Sequence, residues 1–182
     1  MAPHFYMIRH GKTLANLCNK FAGRTDEPLS DQGCEQIRGL VPQLAELDIQ
    51  VIYAGPLCRT MQTAEIVSNN KIPIYKAEGF IDIDLPHWDG LSKDEIRTSF
   101  GAEYPTWLAT PELFHVDGCE DLHQVQKRAV EQVADITRLH ESGNILLVTH
   151  LIVARCLILH KSGQPISMFR GISVDNGGVT EL

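Results

Sequence analysis

The chain has 182 residues, 43% of them hydrophobic, and a formal net charge of −7 at pH 7. This length predicts a single domain over residues 1–182, and the negative charge argues against nucleic-acid or anionic-membrane partners. The absence of a long apolar run, a signal segment or a CxxC pair among the five cysteines indicates a cytoplasmic protein with reduced thiols.

The first half of the chain alternates β-rich apolar runs with amphipathic stretches. Strands are predicted at residues 4–9 (HFYMIR), 51–54 (VIYA) and 72–76 (IPIYK). Apolar residues at helical spacing predict a helix over 31–47. Pro56, at a first helical position, predicts another helix that continues to about Ser68.

The second half continues the alternation. After a predicted loop over 79–91, helices are predicted over 92–100, over 121–141, and to about His160. The last of these follows "NILLVTH", a continuously apolar run typical of a buried parallel strand, and "ISVDNGGVTEL" (172–182) predicts a β-hairpin turning at Asn-Gly. The pattern therefore predicts an α/β three-layer sandwich with a mostly parallel central sheet flanked by helices.

Two of the predicted strands are followed directly by a histidine, His10 and His150. Ligands of such sheets bind beyond the carboxyl ends of the strands, where Arg9 and Arg59 are also expected. Two guanidiniums and two imidazoles suit a phosphoryl group, and the arginines would oppose a zinc ion held by the histidines. The Gly-Lys-Thr after His10 is not a P-loop, because no glycine stands five residues before Gly11.

A longer series of motifs resembles the histidine phosphatase superfamily, which includes cofactor-dependent phosphoglycerate mutases and small phosphatases. The matching segments are "RHGKT" (9–13), "NKFAGRTDEPLSDQG" (19–33), "AGPLCRTMQTA" (54–64), "DIDLPHWDG" (82–90), "GCED" (118–121) and "LLVTH" (146–150). Their order and spacing over nearly the whole chain carry the resemblance. It implies a phosphoglycerate mutase-like fold and a place among the small phosphatases.

The resemblance implies hydrolysis of a phosphomonoester without a metal or another cofactor. His10 would form a phosphohistidine that water then hydrolyses. Arg9 and Arg59 would keep His10 neutral and stabilise the phosphoryl oxygens, to which His150 would also donate. The further candidates for the phosphate site are Asn16, Gly23 and Arg24. Arg24 would either reach a second anionic group of the substrate or pair with Asp26.

The leaving group needs a proton, which an acidic side chain would supply. In the family, the loop that carries the general acid (the acid loop, residues 82–90 of this chain) commonly has a glutamate six residues before its tryptophan, where this chain has Asp82. We predict Asp82 as the general acid, although aspartate is shorter and slightly more acidic than glutamate. Asp84 and Asp89 are the alternatives.

The segment 92–118 bears on the kind of reaction. Mutases of the family carry basic residues there for the second anion of the substrate, whereas this segment has only Lys93 and Arg97. Hydrolysis of a small phosphorylated substrate is therefore favoured. The protein is expected to be a monomer or a homodimer. The alternatives are a cofactor-dependent phosphoglycerate mutase, a phosphohistidine protein phosphatase, or a catalytically silent phosphate-ligand or protein-binding module. Four aromatic residues predict either a pocket wall or core packing: Trp88, Phe100, Trp107 and Phe114.

Overall fold

A computed structural model of the chain describes residues 2–182 and contains a five-stranded sheet. Its strands are β1 (His4–Arg9), β2 (Ile49–Ala54), β3 (Ile74–Lys76), β4 (Asn144–Thr149) and β5 (Val179–Glu181). They are arranged in the order β3-β2-β4-β1-β5. The first four run parallel, and β5 pairs antiparallel with β1.

Within residues 2–182, seven α-helices connect and cover the strands. They are α1 (Leu14–Leu17), α2 (Asp31–Ala45), α3 (Cys58–Ser68), α4 (Lys93–Ser99), α5 (Glu103–Ala109), α6 (Leu122–Leu139) and α7 (Leu151–Lys161), with 3-10 turns at Glu78–Phe80, Pro111–Leu113 and Ile166–Gly171. The predicted α/β architecture is confirmed, whereas α1 and α5 were not predicted. Helix α3 begins two residues after Pro56, where the Asp26 carboxylate accepts a hydrogen bond from the Cys58 amide at 2.6 Å.

Apolar side chains cover both faces of the sheet. In β1, Met7 belongs to the core on one face and Ile8 to the core on the other. In β4, Leu147 and Val148 divide in the same way. A strand buried on both faces needs apolar residues at consecutive positions, which explains the continuous apolar run before His150.

The predicted hairpin over residues 172–182 is wrong. Only Val179–Glu181 forms a strand, and it pairs with β1 instead of with the residues that precede it. Arg155 Nε donates to the Ile172 carbonyl at 2.7 Å, and Arg9 Nη1 donates to the Val174 carbonyl at 2.8 Å. These carbonyls are therefore bound by guanidinium groups, and a strand ladder does not form there.

The aromatic residues of the middle segment pack in the core. Trp88, Trp107 and Phe114 are buried, and their ring centroids lie 5.1 to 6.0 Å apart. Phe100 packs against the edge of this cluster. The structure therefore supports core packing over a pocket wall.

No helix among residues 2–182 combines the length and apolar character needed to cross a membrane. The five cysteines are free thiols, and Cys156 alone is buried. Disulfides therefore do not cross-link this fold, which is held by its packed core.

Candidate active site

The site lies at the carboxyl ends of the central strands. Arg9, the last residue of β1, pairs with Thr149, the last residue of β4. This register places His10 and His150 side by side, with ring centroids 5.2 Å apart. Parallel pairing thus brings together two residues that are 140 positions apart in sequence, as the strand pattern predicted.

The His10 ring is buried, and its contact with the Gly11 carbonyl determines which ring nitrogen carries the proton. Nδ1 lies 2.7 Å from the Gly11 carbonyl oxygen. A carbonyl can only accept, so Nδ1 carries the proton and Nε2 keeps its lone pair. Burial, followed by the charges of Arg59 and Arg9, lowers the pKa of His10 well below its ordinary value. The ring is therefore held neutral, the form that can attack phosphorus.

Arg59 on α3 orients His150. Its guanidinium is fully buried, and Nε donates to Nδ1 of His150 at 3.2 Å. The proton of the neutral imidazole therefore resides on Nε2, which is buried without a hydrogen-bond partner among residues 2–182. Burial first, and then Arg59, lowers the pKa of His150. His150 is thus neutral, and its Nε2–H can donate a hydrogen bond to a bound ligand.

The other two nitrogens of Arg59 hold the loop after α1. Nη1 donates to the Thr25 carbonyl at 2.7 Å, and Nη2 donates to the Gly23 carbonyl at 2.6 Å. Gly23 has φ +48°, and a Cβ there would lie 1.9 Å from an oxygen of Asp89. Gly23 therefore contributes to the site through its backbone, at a place where a side chain does not fit.

Arg9 and Asn16 add further donors. Arg9 Nη1 binds the Val174 carbonyl, but its Nε is buried without a partner among residues 2–182. Burial lowers the pKa of Arg9 to about 10, so the guanidinium stays charged at neutral pH. Oδ1 of Asn16 accepts from the Thr13 amide and from Nδ2 of Asn176, each at 3.1 Å. Unpartnered N–H groups on Arg9 and His150 are costly, and an oxyanion bound beside His10 would satisfy them.

Among the candidate acids, Asp82 lies closest to this arrangement. Its Oδ2 is 3.4 Å from Arg59 Nη2 and 3.6 Å from His150 Nδ1. Burial raises the pKa of Asp82, although Arg59 opposes the shift. The two alternatives, Asp84 and Asp89, instead contact Arg24.

Arg24 supports the acid loop. Its Nη1 lies 3.0 Å from the Asp84 carboxylate, its Nη2 lies 3.4 Å from that of Glu120, and its Nε donates to the Asp82 carbonyl at 3.2 Å. The backbone N–H of Arg24 donates to Asp89. The predicted alternative that Arg24 pairs with Asp26 is wrong, because the Asp26 carboxylate accepts from the start of α3.

A second arginine, Arg128, also holds the acid loop in place, and the sequence did not predict this role. Arg128 on α6 donates to the carbonyls of Gly79 and Ile81 at 2.8 and 2.7 Å, and it forms a two-contact ion pair with Glu120. Arg128 precedes Ala129 on the helix that the sequence predicted as amphipathic. A charged residue beside the apolar face was the signal that could have identified it.

A polar cavity of about 300 Å³ adjoins the acid loop. Arg24, Asp84, Glu120 and Gln124 contribute to its lining, together with the backbone turn at Gly118. Residues 2–182 contain no group of three or more histidine, cysteine or acidic side chains placed to hold a metal ion. The positive charge near the two histidines comes from the guanidinium groups of Arg59 and Arg9.

The chain is similar to known proteins along nearly its whole length. Residues 5–182 match the model of the histidine phosphatase superfamily (branch 1), and the chain belongs to this family. It is 26% identical over 177 residues to phosphoserine phosphatase 1 of Hydrogenobacter thermophilus, covering 97% of this chain and 84% of that protein. It is 28% identical over 182 residues to the probable phosphoglycerate mutase GpmB of an Enterobacter species, covering 97% and 83%. The solved structure of Bacillus stearothermophilus YhfR has a TM-score of 0.95 and 31% identity, covering 99% of this chain and 90% of that one.

Proposed function

We propose that this histidine phosphatase is a metal-independent phosphoric monoester hydrolase that forms a phosphohistidine on His10. The observation that carries the proposal is the state of His10. Its Nδ1 proton is held by the Gly11 carbonyl at 2.7 Å, and burial beside two arginines keeps its pKa low. Nε2 is therefore an unprotonated nucleophile at neutral pH.

The reaction proceeds in two transfers. In the first, the Nε2 lone pair of His10 forms a bond to phosphorus while the ester P–O bond breaks, and Asp82 gives its proton to the leaving oxygen. In the second, water attacks the phosphohistidine, its proton passes to the Asp82 carboxylate, and the P–N bond breaks. Inorganic phosphate leaves, and both side chains regain their starting protonation states.

The donors around His10 stabilise the phosphoryl oxygens in both transfers. Arg9 and His150 each have a buried N–H that finds no acceptor within residues 2–182, and Asn16 donates its amide nitrogen to none of those residues. Four of the five N–H groups of Arg59 donate to His150, Thr25, Gly23 and Asp82, so this residue contributes its charge, the orientation of His150 and one remaining N–H on Nη1.

Hydrolysis is favoured over a mutase reaction by the charges at the acid loop. A mutase of phosphoglycerate must bind the carboxylate of its substrate as well as the phosphoryl group. Arg24 is paired with Asp84 and Glu120, and Arg128 is paired with Glu120. Neither arginine is available to a second anion without breaking these pairs.

The test is hydrolysis of para-nitrophenyl phosphate with EDTA present, in the wild type, His10→Ala and His123→Ala. His123 is exposed on α6 and serves as the matched histidine control. We expect activity in the wild type and the control and none in His10→Ala, together with an acid-labile, base-stable phosphoenzyme. Loss of activity on adding EDTA would contradict the metal-independent mechanism. A wild type that interconverts phosphoglycerates without releasing phosphate would establish the mutase alternative.

A further inference from the structure

Asn176 lies in the segment that the sequence predicted as a hairpin turn, and its amide faces the active site. Nδ2 lies 3.0 Å from the His10 carbonyl, 3.4 Å from the Gly11 carbonyl and 3.1 Å from Oδ1 of Asn16. All three partners are acceptors, so the nitrogen of the Asn176 amide must point toward them. This side chain therefore has one orientation.

The backbone around Asn176 is held on both sides. The Gly177 amide donates to the Arg9 carbonyl at 2.9 Å, and the Arg9 amide donates to the Gly178 carbonyl at 3.3 Å. Nε2 of Gln36 donates to the Asn176 carbonyl at 2.6 Å. The Asn176 amide is thus presented from a backbone that is tied to the strand carrying the nucleophile.

The contact with Asn16 determines which end of the Asn16 amide is available. An amide oxygen has two lone pairs, and the oxygen of Asn16 accepts from both the Thr13 amide and Asn176. Its NH₂ group donates to no acceptor among residues 2–182. Rotating the amide by half a turn would place N–H groups against N–H groups, so this arrangement is the stable one.

We propose that Asn176 is a positioning residue that holds the Asn16 amide with its NH₂ group available to the phosphoryl oxygens. This inference rests on the proposed function, in which Asn16 donates to the bound phosphoryl group. Without Asn176, the Thr13 amide alone would orient Asn16, and an oxygen could face the anion. Asn176 would then position Asn16 in addition to forming the turn with Gly177.

The test measures binding of inorganic phosphate by calorimetry, which does not depend on turnover. The variants are Asn176→Ala, Asn176→Asp, Asn16→Ala, and each change at 176 combined with Asn16→Ala. A carboxylate at 176 can only accept, so it would repel the Asn16 oxygen and draw the NH₂ group away from the anion. We expect Asn176→Asp to weaken phosphate binding by about 10- to 100-fold, the range for a hydrogen bond to a charged group, and Asn176→Ala to weaken it less.

The double variants distinguish positioning from a general structural role. If Asn176 acts through Asn16, changes at 176 should have little further effect once Asn16 is alanine. The matched control is Asn144→Asp, because Nδ2 of Asn144 also donates to a backbone carbonyl, that of Leu47 at 2.7 Å, but at the opposite end of the sheet. We expect this control to bind phosphate like the wild type.

Two results would overturn the inference. The first is an Asn16→Ala variant that binds phosphate as tightly as the wild type. The second is a loss of phosphate affinity on changing Asn176 that is equally large in the wild type and in the Asn16→Ala background. If Asn176→Asp fails to fold in a thermal melt, Asn176→Ala supplies the same comparison. Coupled phosphate binding in a protein that hydrolyses no phosphomonoester would support the positioning role and contradict the proposed function.

Discussion

The carboxyl group of Asp82 lies 3.4 Å from Nη2 of Arg59, whose guanidinium is fully buried. Two effects act on this carboxyl in opposite directions. Burial raises the pKa of Asp82, the nearby cation lowers it, and the raised direction prevails. Asp82 thus keeps its proton to higher pH than an exposed aspartate does, which is what a general acid requires.

Replacing Asp82 by asparagine should reduce hydrolysis of alkyl phosphates by about 100- to 10,000-fold, the usual contribution of a general acid. The reduction should be much smaller for para-nitrophenyl phosphate, because nitrophenolate leaves without a proton. The measurement is kcat/KM for both substrates, with Asp84→Asn as the control because the Asp84 carboxylate pairs with Arg24. Equal losses on the two substrates would contradict the assignment of the acid.

Replacing Arg59 by lysine should lower kcat/KM by about 100-fold or more, the scale for removing a preorganised donor. Lysine keeps a charge but cannot reproduce the contacts of the guanidinium with Gly23, Thr25 and His150. Arg38→Lys on the exposed face of α2 is the matched control. An Arg59→Lys enzyme with wild-type kinetics would show that charge alone suffices.

His10 should titrate below the ordinary histidine value of about 6.5, because burial and the charges of Arg59 and Arg9 oppose its protonation. Nitrogen NMR of labelled histidines at about pH 6 should therefore show a neutral ring protonated on Nδ1. The signal is assigned by its absence in His10→Ala. Since the folded-state pKa is depressed, stability and activity should both fall as the pH drops through it. A charged His10 at about pH 7 would contradict the proposed nucleophile.

Replacing Gly23 by alanine should destabilise the protein and reduce activity, whereas Gly90→Ala should only destabilise it. Both glycines have positive φ, +48° and +79°, which costs about 1–2 kcal/mol for alanine. A Cβ at Gly23 would also meet Asp89 at 1.9 Å, while a Cβ at Gly90 has no atom within 4 Å. Because the Gly23 carbonyl binds Arg59, kcat/KM measured beside thermal melts separates the two effects. If the two variants had the same kcat/KM and the same melting temperature, the clash with Asp89 would have no effect on activity or stability.

Replacing Asp89 by asparagine should change the pH dependence of stability. Burial raises the pKa of Asp89 to about 6, so the folded protein binds this proton more tightly than the unfolded chain does. Wild-type stability therefore declines as the pH rises from about 4 to about 6, and asparagine removes this decline. The measurement is the melting temperature of both proteins over this pH interval. The melting temperature of Asp89→Asn should rise relative to that of the wild type as the pH increases. A difference that is independent of pH would contradict the shifted pKa.

Local sequence patterns determined the scaffold and the edge of the sheet at which His10 and His150 lie. Strands buried on both faces require continuous apolar runs, and such runs end at Arg9 and at Thr149. Because parallel strands place their carboxyl ends at one edge of a sheet, both histidines were expected at that edge, and the pairing of β1 with β4 makes them neighbours. The fold and the placement of His10 and His150 at one edge of the sheet were therefore predictable from residues close together in the chain.

Tertiary structure alone decided which groups complete the site. Asn176 and Arg128 contact residues 160 and 49 positions away, respectively, and the local pattern around each residue does not specify those partners. The Asn-Gly pair predicted a hairpin from its turn propensity, but the carbonyls before it bind Arg155 and Arg9. Only the tertiary structure likewise shows which of the three candidate aspartates lies beside Arg59, namely Asp82. Propensity acts along the chain, whereas orientation and pKa depend on the groups that folding brings together.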